Sequence, residues 1–179
     1  LGVCLIDLGE YAPARDLLDR ALEVKLMHGD EYDTTRTRLA LARLDLLEGV
    51  HLEQTLTTVS ACVEQLSSSF GLAHPNTGEA LVLEARLLLA LDRPADAEAS
   101  ARLAIVAFES RWSNRSWRMG QASGVLAQTL IEQGRAPEAV EPAARSRTIL
   151  MDVRDAGDRV RRESEDRATR LGLLAPVRP

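Results

Sequence analysis

Three arginines are the residues of this chain best fitted to grip another molecule: Arg36, Arg43 and Arg86. A guanidinium is planar, permanently charged and binds a carboxylate or phosphate through two parallel N–H bonds. Arg43 and Arg86 hold equivalent places, each directly after a small residue, Ala42 and Ala85; Val3 and Gln128 follow Gly2 and Ala127 in the same way. Seven residues before them, two turns back on one helical face, come Arg36, Glu79 and Gln121. Three residues after them come Ile6, Leu46, Leu89 and Ile131, an apolar strip beside the polar row. Such a row can take an acidic group from outside, or its arginines can pair within the chain with Asp45, Glu79 or Glu84. Glu84 stands in a segment, 81–91, that is otherwise apolar but for Arg86. A buried carboxylate needs a partner, and Arg43 and Arg102 are the candidates.

No catalytic arrangement accompanies the row. His28, His51 and His74 fall near helix junctions with no carboxylate or cysteine spaced to converge on them, so neither a metal centre nor a cofactor is expected. The chain has no Gly-rich phosphate loop, no nucleophile in a recognisable elbow and no kinase signature. Cys4 and Cys62 lie in apolar helical stretches and read as buried free thiols of a reducing compartment. Trp112 and Trp117 flank an Arg-containing linker; Trp117 reads as packing at a helix start, while Trp112 is open between packing and a binding role. Near the C-terminus Arg154, Arg159, Arg161, Arg162, Arg167 and Arg170 alternate with acidic residues, the pattern of a solvated, internally paired helix. A net charge of −5 and a pI near 5.3 argue against a nucleic-acid partner, which needs a basic face. No apolar run approaches the ~20 residues of a membrane span.

The elements that must position the row come from an internal repeat. A small residue is followed after seven residues by a turn, and after five more by another small residue: Gly2, Gly9, Ala14; Ala42, Gly49 and, less well, Gln54; Ala85, Asp92, Ala97; Ala127, Gly134, Ala139. Ala21, Ala61, Ala104 and Ser146 close the copies. Equivalent positions lie 40, 43 and 42 residues apart, a period that marks stacked helical hairpins. The chain is 45% hydrophobic but only 3% aromatic, and its Leu, Ala and Val favour helix. The periodicity predicts nine helices, at 1–8, 13–27, 34–48, 52–69, 75–91, 94–111, 115–133, 137–151 and 155–171. Asp33 is the expected N-cap of the third. Pro13 suits a first helical turn, where its missing N–H costs nothing.

These residues resemble the tetratricopeptide repeat family, in its longer variety of about 42 residues known from kinesin light chains and bacterial regulatory proteins. The resemblance is carried by the pairs Leu1-Gly2, Leu41-Ala42 and Leu126-Ala127, by the turn Gly9-Glu10-Tyr11-Ala12-Pro13-Ala14, and by the linker Gly71-Leu72-Ala73-His74-Pro75-Asn76-Thr77. Departures are Glu84 and Asp92 in the third copy, and Gln54 and Thr58 on a face that should be apolar. The resemblance implies an all-α, right-handed solenoid of four antiparallel hairpins at 1–30, 31–73, 74–114 and 115–151, a capping helix at 152–171 and a frayed tail at 172–179. It implies that first helices line a concave surface. The candidate peptide groove is then Arg36, Arg43, Leu46, Glu79, Arg86, Leu89, Gln121, Gln128 and Ile131.

The function so implied is a non-enzymatic scaffold module for a protein or peptide, its ligand acidic or ending in a free carboxylate. It belongs in a larger cytoplasmic bacterial protein, beside a domain such as a serine/threonine kinase, a switch ATPase or a transcriptional regulator. The alternative is a small-ligand sensor or enzyme with a pocket built on Arg43, Glu84 and Arg86. Because the chain opens mid-pattern without Met, it is expected to be a fragment. Its first helix should then be poorly covered at Leu1, Leu5 and Leu8, and copies should associate through that edge.

Overall fold

The computed structural model describes residues 1–109, 116–153 and 159–172. Trp112, most of the linker ahead of Trp117 and nearly all of the expected tail lie outside the described residues. Among the described residues all regular structure is helical. The helices are α1 (Gly2–Leu8), α2 (Tyr11–His28), α3 (Glu31–Glu48), α4 (Leu52–Phe70), α5 (Pro75–Ala90), α6 (Pro94–Glu109), α7 (Trp117–Glu132), α8 (Ala136–Val153) and α9 (Arg159–Arg170). Two compact units are present, residues 1–65 and 66–179.

Helix ends follow local chemistry. Gly9, Gly49 and Gly134 turn the chain with left-handed φ of 82°, 70° and 73°. Asp92 does the same job in the third copy at φ 57°, a conformation Asp tolerates better than most non-glycine residues. His74 caps α5: its Nδ1 accepts from the Asn76 amide at 3.2 Å, and Pro75 occupies the first helical position. Ser116 caps α7 by accepting from the Met119 amide at 3.2 Å. The expected cap of α3 is corrected. Asp30, not Asp33, is the N-cap, and its Oδ1 accepts from the Asp33 amide at 2.9 Å. Asp30 directly follows the left-handed Gly29, so the break is made there and α3 starts three residues earlier than expected. Pro142 lies inside α8, where it removes one backbone bond.

In the first unit, Ile6, Ala14, Leu18 and Leu44 form a buried cluster, with Leu5, Tyr11, Leu41 and Leu47 packed on it. Gly2 lets α1 approach α2 closely: a Cβ there would stand 2.9 Å from Leu18 Cγ. The small-residue register is not kept in α4. Ala61 and Gln54 are exposed, and the buried stripe is Thr55, Val59, Cys62 and Leu66. Its 4-3-4 spacing is regular for a helix, but it lies one residue later than the other copies predict.

In the second unit, α5 pairs with α6 and α7 with α8, α6 packs on α7, and α9 packs on α8 and α7. Here the markers hold: Ala85, Ala97, Ala104, Ala127, Ala139 and Ser146 are all fully buried. Short side chains at these places let helix axes approach toward ~8 Å. Gly78 and Gly120 serve the same end, their missing side chains occupied by Phe108 and by Leu150 with Ile149.

Candidate interaction surface

In the first unit the row residues lie on α3. Arg36 is exposed, its guanidinium carbon 5.8 Å from the centroid of the Tyr32 ring, within cation–π range. Arg43 is half-buried and reaches back to α1, where Nη2 donates to Asp7 Oδ1 at 2.5 Å. Leu46 is half-buried beside it. Asp45, an expected partner of the row, is engaged elsewhere: Arg15 donates to its Oδ1 at 2.6 Å and Thr55 to its Oδ2 at 2.9 Å. Arg15 also reaches Glu48 at 2.5 Å. The Glu48 contact chiefly raises the Arg15 pKa, against a smaller opposing effect of burial and with help from Asp45.

In the second unit the row runs along α5 and α7, which lie side by side. Glu79 is exposed and accepts from Arg118 of α7, whose guanidinium rests 4.5 Å above the Trp117 ring. Arg86 is half-buried, with Nη2 3.9 Å from Glu163 Oε1 of α9. Gln128 donates to Glu132, and Leu89, Gln121 and Ile131 are half-buried. Glu84 accepts from Ser100 Oγ of α6 at 2.8 Å, and Arg102 pairs with Glu98 at 2.7 Å. The carboxylates described beside Arg43 and Arg86 are thus Asp7 and Glu163, neither of them foreseen.

A second set of ties escaped sequence reasoning. Glu98 of α6 accepts from Gln133 at 2.9 Å and from Arg135 at 2.6 Å, at the turn between α7 and α8. Burial works against the Glu98 charge, but bonds from Gln133 and Arg102 and the nearby arginines outweigh it and hold the pKa below the usual carboxylate range. Arg15 and Glu98 are equivalent residues, each directly after a small marker, and Glu48 and Gln133 are equivalent too. The same two places are tied in both copies, by the Arg15–Glu48 ion pair in one and by the Gln133–Glu98 hydrogen bond in the other. The repeat register carries that signal, since it sets Arg15 level with Glu98 and Glu48 level with Gln133.

Two further placements differ from expectation. Cys4 is exposed, since α1 buries only Gly2 and Ile6; Cys62 is buried, and burial raises its thiol pKa despite the Arg38 charge. On α9, Arg161 pairs with Glu165 at 2.9 Å as a solvated helix should, but Arg167 is buried. The missing side chain of Gly124 makes room for it against α7.

Paired antiparallel helices of this length, joined by left-handed turns at a near-constant period, are the geometry of solved repeat structures. The chain superposes on the nearly identical TPR-like repeats assigned to a kinesin light chain of Podosopora anserina, with a TM-score of 0.72 and 15% sequence identity. A variant of those repeats gives 0.73 at the same identity, and each comparison covers 96% of this chain and 82% of the other. The fold is that of tetratricopeptide-like repeats. No family model and no curated protein matches the sequence. Among the described residues no helix is long and apolar enough to cross a membrane.

Proposed function

We propose that this tetratricopeptide-like chain is a non-enzymatic module that binds a protein or peptide bearing an acidic group, working in the cytoplasm of a bacterium as part of a larger regulatory protein. The repeat fold carries the reading. The row adds to it: Arg36, Arg43 and Leu46 on the first unit, and Glu79, Arg86, Leu89, Gln121, Gln128 and Ile131 on the second, combine charge with half-buried apolar surface. Asp7 and Glu163, the carboxylates beside Arg43 and Arg86, have side chains 60% and 38% exposed. A ligand carboxylate bound by Arg43 or Arg86 would take the place of Asp7 or Glu163. The test is anisotropy of a labelled acidic peptide with a free C-terminus. Arg43→Ala and Arg86→Ala, made singly, should each weaken binding by ~1.5–3 kcal/mol while barely moving the melting temperature. Affinity unchanged by Arg43→Ala would remove the first unit's residues as a site, and affinity unchanged by Arg86→Ala the second unit's.

The edge at α1 offers a second contact, between copies of this chain. Val3 and Leu8 are exposed on α1. Mass measured by light scattering should rise with concentration, and Leu8→Glu should return the protein to a monomer. A constant monomer mass in the unaltered protein would exclude this association.

A further inference from the structure

Among the described residues no anion is hydrogen-bonded to the buried cation Arg167. The residue is 9% exposed, and its Nε–H is fully buried with no acceptor. Its terminal nitrogen fills the space that Gly124 leaves open: a Cβ on Gly124 would lie 2.5 Å from Arg167 Nη2 and 2.7 Å from Ser146 Oγ. Ser146 and Ser164 hydroxyls meet there at 3.0 Å in a buried pair. One proton serves that bond and the other hydroxyl proton is left to donate. Burial lowers the guanidinium pKa to about 10; Glu163 and Asp166 oppose this, while Arg86 and Arg170 reinforce it. The group is therefore still charged near neutral pH. A buried charge without a paired, hydrogen-bonded partner is strongly unfavourable, and a water or an ion can satisfy it.

The charges around Arg167 indicate what would satisfy it. Arg167 carries one positive charge, which a single carboxylate balances; Arg86 and Arg170 add positive potential there, and Glu163 and Asp166 oppose it. A guanidinium binds a planar carboxylate through two parallel N–H bonds, which a spherical halide cannot match. We propose that the second unit holds a site for a single carboxylate group among α7, α8 and α9, with Arg167 as its cation, the Ser146–Ser164 pair as hydroxyl donor and Arg86 contributing charge from α5. The site shares Arg86 with the peptide-binding reading but rests on Arg167, which that reading does not use. A free small acid and the carboxylate end of a chain offer the same chemistry.

The test follows the Arg167 Nε–H proton by NMR, a signal that burial should keep visible, identified by its loss in Arg167→Lys or by its contact with Gly124. Sodium acetate should shift it saturably in the millimolar range, and sodium chloride at equal ionic strength should not. Arg86→Gln should weaken the acetate effect about tenfold with the helical circular dichroism unchanged. A tetrapeptide acting at about a tenth of the acetate concentration, with its amidated form inert, would assign the carboxylate to a chain end; equal potency of acetate and peptide would assign it to a free acid. No acetate-specific shift, or an equal response to chloride, overturns the site and leaves Arg167 a purely structural residue. A peptide that binds the protein without moving this signal, when acetate also fails, overturns this site alone and leaves the groove reading standing.

Discussion

Phe108→Ala should destabilise the second unit by about 3–5 kcal/mol, the range for deleting a buried aromatic side chain. Phe108 is essentially fully buried, whereas the chain's only other phenylalanine, Phe70, is exposed. Its ring rests on bare backbone. A Cβ built on Gly78 would come within 2.7 Å of the ring and 3.0 Å of Ala107 Cβ. The buried residues that precede it on α6 are Ala97, Ala101 and Ala104, side chains too short to reach into the space the ring would leave. Little relaxation is available, so the cavity persists and the cost falls high in the range. Gly78→Ala alone overpacks the same place and should cost ~1–3 kcal/mol. The double variant should lose less than the sum, because the new methyl enters the space the ring vacated. Urea melts decide it: a Phe108→Ala loss under about 1 kcal/mol would mean that the ring is not a core element.

What could be read in the sequence is what local spacing encodes. The period, the turn glycines and the small markers identified the hairpins because each depends on a few neighbouring residues. The α4 register was lost because its stripe begins with Thr55, a polar residue whose hydroxyl is satisfied by Asp45, while an alanine at 61 imitated the marker. The α3 cap was misplaced because Asp30 and Asp33 are chemically the same, and only the turn at Gly29 separates them. The arginine partners were not legible, because Asp7 lies 36 residues from Arg43 and the choice is made by reach in three dimensions. Arg167 looked like one charge among many in an alternating helix. Its burial is set from the other side of the contact, by Gly124 on α7, a lone glycine that carries no weight without knowledge of what packs there.

In the first unit the corresponding weak point is Leu44, and Leu44→Ala should cost about 2–5 kcal/mol. Leu44 is fully buried against Ile6, Ala14 and Leu18, in a small core with one large side chain from each neighbouring stretch. The other buried positions of α3 are Thr34, Thr35, Thr37 and Ala42, which give little apolar area. Thr35 and Thr37 are held by hydrogen bonds, to Gln65 Oε1 at 2.7 Å and to the Asp33 carbonyl at 2.8 Å, so they are not free to move inward. The loss bears on function because Arg43 immediately precedes Leu44, and its bond to Asp7 spans the α1–α3 contact that Leu44 supports. Two variants one residue apart should therefore separate cleanly. Arg43→Ala should weaken an acidic peptide with the melting curve unmoved, whereas Leu44→Ala should lower the denaturant midpoint and lose peptide affinity only through the fraction unfolded. Correcting Leu44→Ala binding for the folded fraction at each urea concentration should restore the unaltered affinity. If the corrected affinity stays low, Leu44 shapes the row directly; if the midpoint does not fall, the four-residue cluster is not what holds α1, α2 and α3 together.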